Sequence, residues 1–437
     1  MPECRKMEIL WLVSTTLPAA AAACGLAGAG DVSGGWLAGQ LDALRGRLDL
    51  TVCSIDKRVT APASGSGGGA SFVLLPARDE AAFAALLDKV SPDLVHIWGT
   101  EYAAALALHR AAAAKGVPAL VGIQGVMAAC AAHLCDGVPP RYLKSNFLQR
   151  AVDHVVPGKL LDLTQREFDA LAVSEATLLA ESRYVTGRTS FDKNAVSGLA
   201  PEARYFPCNE TLRDTFYTGP LWQPRTVGTA PVLLMSQGNY PLKNLHTALK
   251  ALPTLLKTWP SLMLRVAGWP PLDKGPLFRP VIDRMFPYQT WCQALIDEFD
   301  LADHVEYTGA LSAAAMRQAY LDADLFLLPS YCENSPNSLG EAMLLGLPCV
   351  VSRVGGIPDM AADDTEAVFY APAGDEAALA GAATRVLQTP NDSAAMGQAA
   401  RARALQTHNR AANARTMESI YRTILADNGP AVEGKVQ

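Results

Sequence analysis

The sequence predicts an α/β protein built as two domains. Three observations carry this. Strand-like and helix-like segments alternate along the chain, the signature of βα units. The length, 437 residues, exceeds one ordinary core and suits two domains of about 200 each. Residues 324–359 then combine a short apolar strand, a polar loop, a helix and a second strand in one block.

Composition narrows the function classes. Half of the residues are hydrophobic, which is ample for two cores, and the net charge of −6 gives no reason to expect a nucleic-acid partner. The nine cysteines form no Cys-x-x-Cys pair and no Cys/His cluster with zinc spacing, so reduced thiols are expected. Arg5 and Lys6 before an apolar stretch and the run Ala19–Ala23 have the layout of a signal peptide. The short bulky run Met7–Ser14 and the break at Pro18 favour a first strand instead.

Glu8–Ser14 is that strand, and Ser33-Gly34-Gly35-Trp36 opens a helix to about Arg45. Leu48–Ile55 is the second strand. Thr60–Ala70 is Gly/Ser/Ala-rich and reads as a flexible surface loop; Gly65–Gly69 within it mimics a dinucleotide fingerprint but has no strand before it. Ser71–Leu75 is a third strand and Ala81–Val90 a helix. Pro92–Glu101 is a strand running into a loop, and ligands in doubly wound sheets collect at carboxyl ends of strands. His96, Trp98 and Glu101 are therefore acceptor-site candidates, although a packed core histidine is the plainer reading of His96. Ala103–Lys115 is a helix, and the strand Pro118–Ile123 ends at Gln124. Gly137–Gly158 carries Arg141, Lys144 and Arg150 and reads as an acceptor- or membrane-facing stretch or as an ordinary solvated helix. Thr164–Ala180 is helical, and the short strand Tyr184–Arg188 leaves Arg188 as an acceptor or phosphate candidate.

Thr218–Pro231 is the connector between domains, and Val232–Ser236 opens the second sheet. The helix Leu245–Leu255, the strands Leu262–Ala267 and Val305–Gly309, and the helices Trp291–Phe299 and Met316–Ala323 follow. Pro270–Tyr288 is long enough to cover a cleft. The strand Leu325–Leu328 stops at Pro329, and a helix starts near Ser335 or Asn337, either of which could cap it. A loop entering a helix offers free N–H groups and the positive end of the helix dipole, a seat for phosphate. Glu333 lies before that seat and Glu341 inside the helix. An ionised carboxylate accepts two hydrogen bonds from vicinal hydroxyls, so the pair could grip a sugar and a ribose at the two ends of a diphosphate. Two solvated surface glutamates are the bland alternative.

Residues 324–359, including Pro348–Ser352 and the turn Val354-Gly355-Gly356-Ile357-Pro358-Asp359, resemble the Glu-x7-Glu region of the retaining glycosyltransferases of family 4, group 1. The resemblance implies the GT-B fold: two Rossmann-like domains facing each other across a donor/acceptor cleft. It divides the chain into an acceptor domain, residues 1–218, a nucleotide-sugar donor domain, residues 219–405, and a helix, 406–426, crossing back to the first. The implied donor contacts are Gly34 and Gly35, Gly238 and Asn239, Lys243, Tyr307, Glu333, Glu341 and the stretch Asn334, Ser335, Asn337, Ser338 and Leu339. Glu333, Lys243 and Gln124 stand where the family has groups around the reacting sugar. Two departures matter. Gln124 replaces a histidine common in the family and cannot act as a base. Asn239 replaces the arginine that, with the lysine, neutralises the leaving diphosphate; Arg188 is the candidate to make good that charge.

The implied reaction is retaining transfer from a nucleoside-diphosphate sugar, UDP favoured, to a carbohydrate or lipid-linked acceptor in cell-surface polysaccharide or glycoconjugate assembly. No cofactor or metal is implied, and the location is cytoplasmic with peripheral membrane contact. Asp322-Ala323-Asp324 mimics a metal-binding Asp-x-Asp, but its place at a helix end reads as capping and turn chemistry. The alternatives are a non-catalytic nucleotide-sugar scaffold, a UDP-sugar epimerase and, last, a dehydrogenase. Asn391–Ala426 is largely helical, and 427–437 are expected to be disordered.

Overall fold

The computed structural model describes residues 5–26, 34–76, 80–146, 149–150, 159–225, 230–268, 284–362 and 367–429. The first sheet contains β1 (Glu8–Val13), β2 (Asp49–Ile55), β3 (Ala63–Gly67), β4 (Ala70–Leu75), β5 (Leu94–Trp98), β6 (Ala119–Gly122), β7 (Tyr184–Gly187) and β8 (Arg204–Pro207). Their order is β3-β4-β2-β1-β5-β6-β7-β8, and every pairing but β3–β4 is parallel. The second sheet is all parallel, ordered β11-β10-β9-β12-β13-β14. Its strands are β9 (Val232–Met235), β10 (Met263–Val266), β11 (Val305–Tyr307), β12 (Leu325–Leu328), β13 (Cys349–Ser352) and β14 (Phe369–Ala371).

Both sheets are covered on both faces, so their central strands are apolar throughout. Along β1, Ile9, Trp11 and Val13 enter one layer and Leu10 and Leu12 the other. Strand β1 lies between β2 and β5, and β9 between β10 and β12. Chain direction across the sheet reverses at these points, and a crevice opens at the carboxyl ends of the strands there.

Several expectations change. Thr60–Ala70 is a hairpin, not a loop: β3 pairs with β4 through Gly68 and Gly69, both at positive φ (59° and 78°), as such a tight turn requires. A Cβ at Gly65 would collide with the Ala23 carbonyl, which explains a glycine within that strand. The helix Asn337–Leu345 has Pro336 at its N-cap and no side-chain cap, so neither Ser335 nor Asn337 plays that part. The C-terminal stretch is two helices, Pro390–Thr407 and Arg410–Asn428, with Asn409 capping the second by accepting from Ala412 N. Asp427 closes that second helix and pairs with Arg204, so the disordered tail expected from 427 does not begin there. Residues 430–437, Ser33, most of the expected cleft cover Pro270–Tyr288 and the stretch 151–158 lie outside the described residues. Asp324 bonds Val232 N and pairs with Arg225, while Asp322 accepts from Gln318.

The helix Arg410–Asn428 lays Ala414, Met417, Ile420, Tyr421 and Ile424 against the β1 side of the first sheet. The Tyr421 hydroxyl accepts from Trp11 Nε1 (3.1 Å) and lies 2.7 Å from His96 Nδ1. No helix among the described residues is long and apolar enough to cross a membrane.

Candidate active site

The cleft forms where the carboxyl ends of the two sheets meet. It offers about 470 Å³ and is lined from the first domain by Gly34, Gly35 and Trp36 and, near that domain's end, by Arg213. The second domain contributes the loops after β9, β10 and β11 and the loop and helix after β12.

Glu333 is fixed from three directions. Its Oε1 takes the Lys243 ammonium at 2.5 Å and the Ser330 hydroxyl at 2.8 Å. Its carbonyl accepts from Gly356 N at 3.0 Å. That approach explains the Gly355-Gly356 turn. Gly355 has φ +52°, and a Cβ there would run into the Glu333 carbonyl. Lys243 ends a short 3-10 turn, Pro241–Lys243. Asn244 behind it adopts a left-handed conformation (φ +58°), accepts from Thr247 N and donates to the Pro329 carbonyl. Burial disfavours the charge on Lys243, but Glu333 and Tyr240 hold its pKa above the usual lysine value. The ammonium is therefore retained at neutral pH.

Glu341 sits within the helix Asn337–Leu345, and its Oε1 takes Arg213 through Nη2 (2.7 Å) and Nε (2.9 Å). Burial pushes the Glu341 carboxyl up to about 7, with Arg213 and Tyr320 opposing the rise. Tyr320 donates to the Ser338 carbonyl and also lines the cleft. With no side chain capping this helix, the amides of Asn337 and Ser338 have no hydrogen-bond partner among the described residues and sit at its dipole-positive end.

The structure thus brings together Gly34, Gly35, Asn239, Lys243, Glu333, Asn337, Ser338 and Glu341. The other expected donor residues lie elsewhere. Gly238 packs under the loop, against Leu245 and Val266. Tyr307 is turned into the core, its hydroxyl without a partner among the described residues, while Gly309, Ala310 and Leu311 after it face the cleft. Leu339 is core, and Ser335 is buried outside the cleft lining. The Asn334 side chain bridges the domains: it donates to Asp192 Oδ2 (2.9 Å) and the Gln124 carbonyl (3.2 Å) and accepts from Thr189 Oγ1 (2.6 Å).

The acceptor candidates also move. His96 is fully buried and stacked on Trp98 at 3.9 Å, and burial holds its pKa well below the usual value, so it is a neutral core histidine. Trp98 is buried too, edge-on to Trp36, which is the ring that reaches the cleft. Glu101 does not line this cleft; burial raises its carboxyl, and Oε2 has no partner among the described residues. Arg188 cannot supply the missing charge. It is buried against Glu210 (2.7 Å), bonded to the Gln124 carbonyl (2.5 Å), and lines a separate hollow with Tyr205, Asp359 and Arg403. Gln124 spends its side-chain oxygen on the same arginine (3.3 Å). Arg213 and Trp36 are the largest side chains of the first half of the chain that line the cleft and that sequence reasoning missed. Trp36 follows the predicted Gly-Gly directly, whereas Arg213 lies in an irregular stretch before the connector, without motif or periodicity.

Comparison with known proteins agrees with this geometry. Residues 222–403 match the family model "Glycosyl transferases group 1". The amylovoran biosynthesis glycosyltransferase AmsK of Erwinia amylovora is 36% identical over 114 residues, which cover 25% of this chain and 28% of AmsK. Matches to the first such curated relatives span well under half of their length. Sucrose-phosphate synthase from Thermosynechococcus elongatus superposes over 97% of this chain and all of its own, with TM-score 0.69 and 16% identity. Anabaena HepE, solved with UDP and glucose, superposes over 95% of this chain and all of its own, with TM-score 0.64 and 15% identity. The chain thus has the GT-B fold, and its residues 222–403 match the glycosyl transferases group 1 family.

Proposed function

We propose that the chain transfers a sugar from a nucleoside-diphosphate donor, UDP-sugar in the first instance, to a hydroxyl acceptor with retention at the anomeric carbon. The observation that carries this is the pairing of Glu333 with Lys243 and of Glu341 with Arg213 around one uncapped helix N-terminus in the interdomain cleft. Glu333 takes hydroxyls of the donor sugar, the free amides at Asn337 and Ser338 take phosphate, Glu341 takes the ribose diol, and Lys243 faces the diphosphate. Gly34 and Gly35 close the cleft from the acceptor domain. Among the described residues that line the cleft no carboxylate stands free as a nucleophile, since both glutamates are held by cations. The protein then acts by orienting the reactants and neutralising the leaving diphosphate. The leaving phosphate takes the acceptor proton on the face it departs from. Metal-independent transfer is part of the proposal.

A role in polysaccharide or glycoconjugate assembly is supported by the name of AmsK, and a UDP donor by the UDP and UDP-glucose complexes of HepE. A cytoplasmic location with peripheral contact to the membrane belongs to the same proposal. Arg141, Lys144 and Arg284, which line one hollow of about 260 Å³, are the basic residues for that contact.

The test is a thermal-shift and calorimetry panel of UDP, GDP, ADP and their glucose and mannose conjugates, followed by product analysis with the donor that binds. A ligand that binds only the folded state raises the melting temperature. Binding followed by transfer or slow hydrolysis to the retained anomer supports the reading. Binding without turnover points to the scaffold, turnover to an isomeric donor points to an epimerase, and no binding refutes the donor site.

A further inference from the structure

Two features of the cleft call for a second cation. Asn239, at the turn after β9, is neutral, and Lys243 already serves Glu333. A leaving diphosphate carries more negative charge than one paired lysine offsets. Among the described residues lining the cleft, the other cation is Arg213.

Arg213 is built into place. It follows the fully buried Leu212 and precedes the short turn Asp214–Phe216, and its guanidinium lies 4.9 Å from the centre of the Phe216 ring. Its stem runs against Gly35, where any Cβ would collide with Arg213 Cδ. Glu341 occupies only Nε and Nη2, and both point at the same oxygen, Oε1. Nη1 donates no hydrogen bond among the described residues, and it is not among the buried polar atoms without partners. A guanidinium can keep one carboxylate on one edge and take a phosphate oxygen on another, because its donors form a rigid planar fork.

Resting on the donor reading above, we infer that Arg213 binds the donor diphosphate through the N–H groups that Glu341 leaves free. It thereby supplies the cation missing at Asn239 and joins ribose and phosphate recognition in one side-chain pair. Gly35 then has a second reason to lack a side chain: it admits the arginine as well as the ligand.

Calorimetry with UDP, GDP and ADP, each against its own nucleoside, tests this by the affinity gained from the diphosphate. Wild type is measured first; absence of binding by all three diphosphates overturns the donor reading and this inference with it. In Arg213→Met the diphosphate affinity should fall by about 10- to 100-fold, while the nucleoside affinity changes by less than about threefold. A proportionate loss for nucleoside and diphosphate, or no loss, overturns the inference and leaves the donor reading standing. Arg213→Met leaves Glu341 buried without a partner, so the same comparison is made between Glu341→Gln and the double variant Arg213→Met/Glu341→Gln. There too the diphosphate increment should drop 10- to 100-fold on loss of the arginine, and an unchanged increment overturns the assignment.

Discussion

Burial and Arg213 pull the Glu341 carboxyl in opposite directions. Removing its charge while keeping its shape isolates what it does for ligand. A charged hydrogen bond contributes roughly 1.5–3 kcal/mol, so Glu341→Gln should weaken nucleoside-diphosphate binding by about 10- to 100-fold in calorimetry. An unchanged affinity removes Glu341 from the site. Glu175 is a different kind of carboxylate. It lies in the first domain, 1% exposed, accepts from Met127 N at 2.8 Å and bonds the Thr100 hydroxyl. Burial pushes it up to about 7 despite those bonds. Its folded pKa exceeds the ordinary value, so its contribution is fully present below about 4.5 and is lost as pH rises through about 7. The span corresponds to about 3 kcal/mol. Glu175→Gln should therefore flatten the pH dependence of the melting temperature and melt higher than wild type at pH 8. An identical slope in both proteins refutes this. The glutamates of the cleft were legible in the sequence because a strand, a loop and a helix framed them. Glu175 and Arg213 were not, because nothing local marks a residue whose partners come from 48 and 128 positions away.

The elements divide in the same way. Apolar runs such as those of β1, β5 and β12 read clearly, since strands covered on both faces need no alternation. The hairpin β3–β4 did not. Its first strand, Ala-Ser-Gly-Ser-Gly, has poor strand propensity and is held by its ladder to β4. Low complexity there went with a paired edge strand rather than a free loop. The turn at Gly355 shows what glycine does for the site. Gly355→Ala must relieve both a positive φ and a collision with the Glu333 carbonyl. It should cost about 1–3 kcal/mol of stability and weaken donor binding at least as much as losing one charged hydrogen bond. Full donor affinity in a folded Gly355→Ala protein would show that the turn does not position Glu333.

At the scale of the whole molecule, the last long helix is part of the first domain's core. The Tyr421 hydroxyl has one proton. Its oxygen accepts from Trp11 Nε1 and shares a second hydrogen bond with His96 Nδ1, so one hydroxyl serves two buried rings. Tyr421→Phe strands two buried nitrogens, and the fold should lose about 2–4 kcal/mol in chemical denaturation, with unchanged nucleotide affinity in what remains folded. A loss below about half a kcal/mol refutes the role of this hydroxyl. Two parallel sheets with crossover helices were legible from alternation and length alone. The cross-domain bonds were not, because they join residues whose own segments already look complete.

Asn334 stands one peptide unit from Glu333, yet its side chain is bonded to Asp192, Thr189 and Gln124 of the opposite domain. Any hinge opening must therefore break this clasp beside the carboxylate assigned to the donor sugar. Separation of the two domains and a shift of the loop that carries Glu333 are thereby tied into one mechanical event.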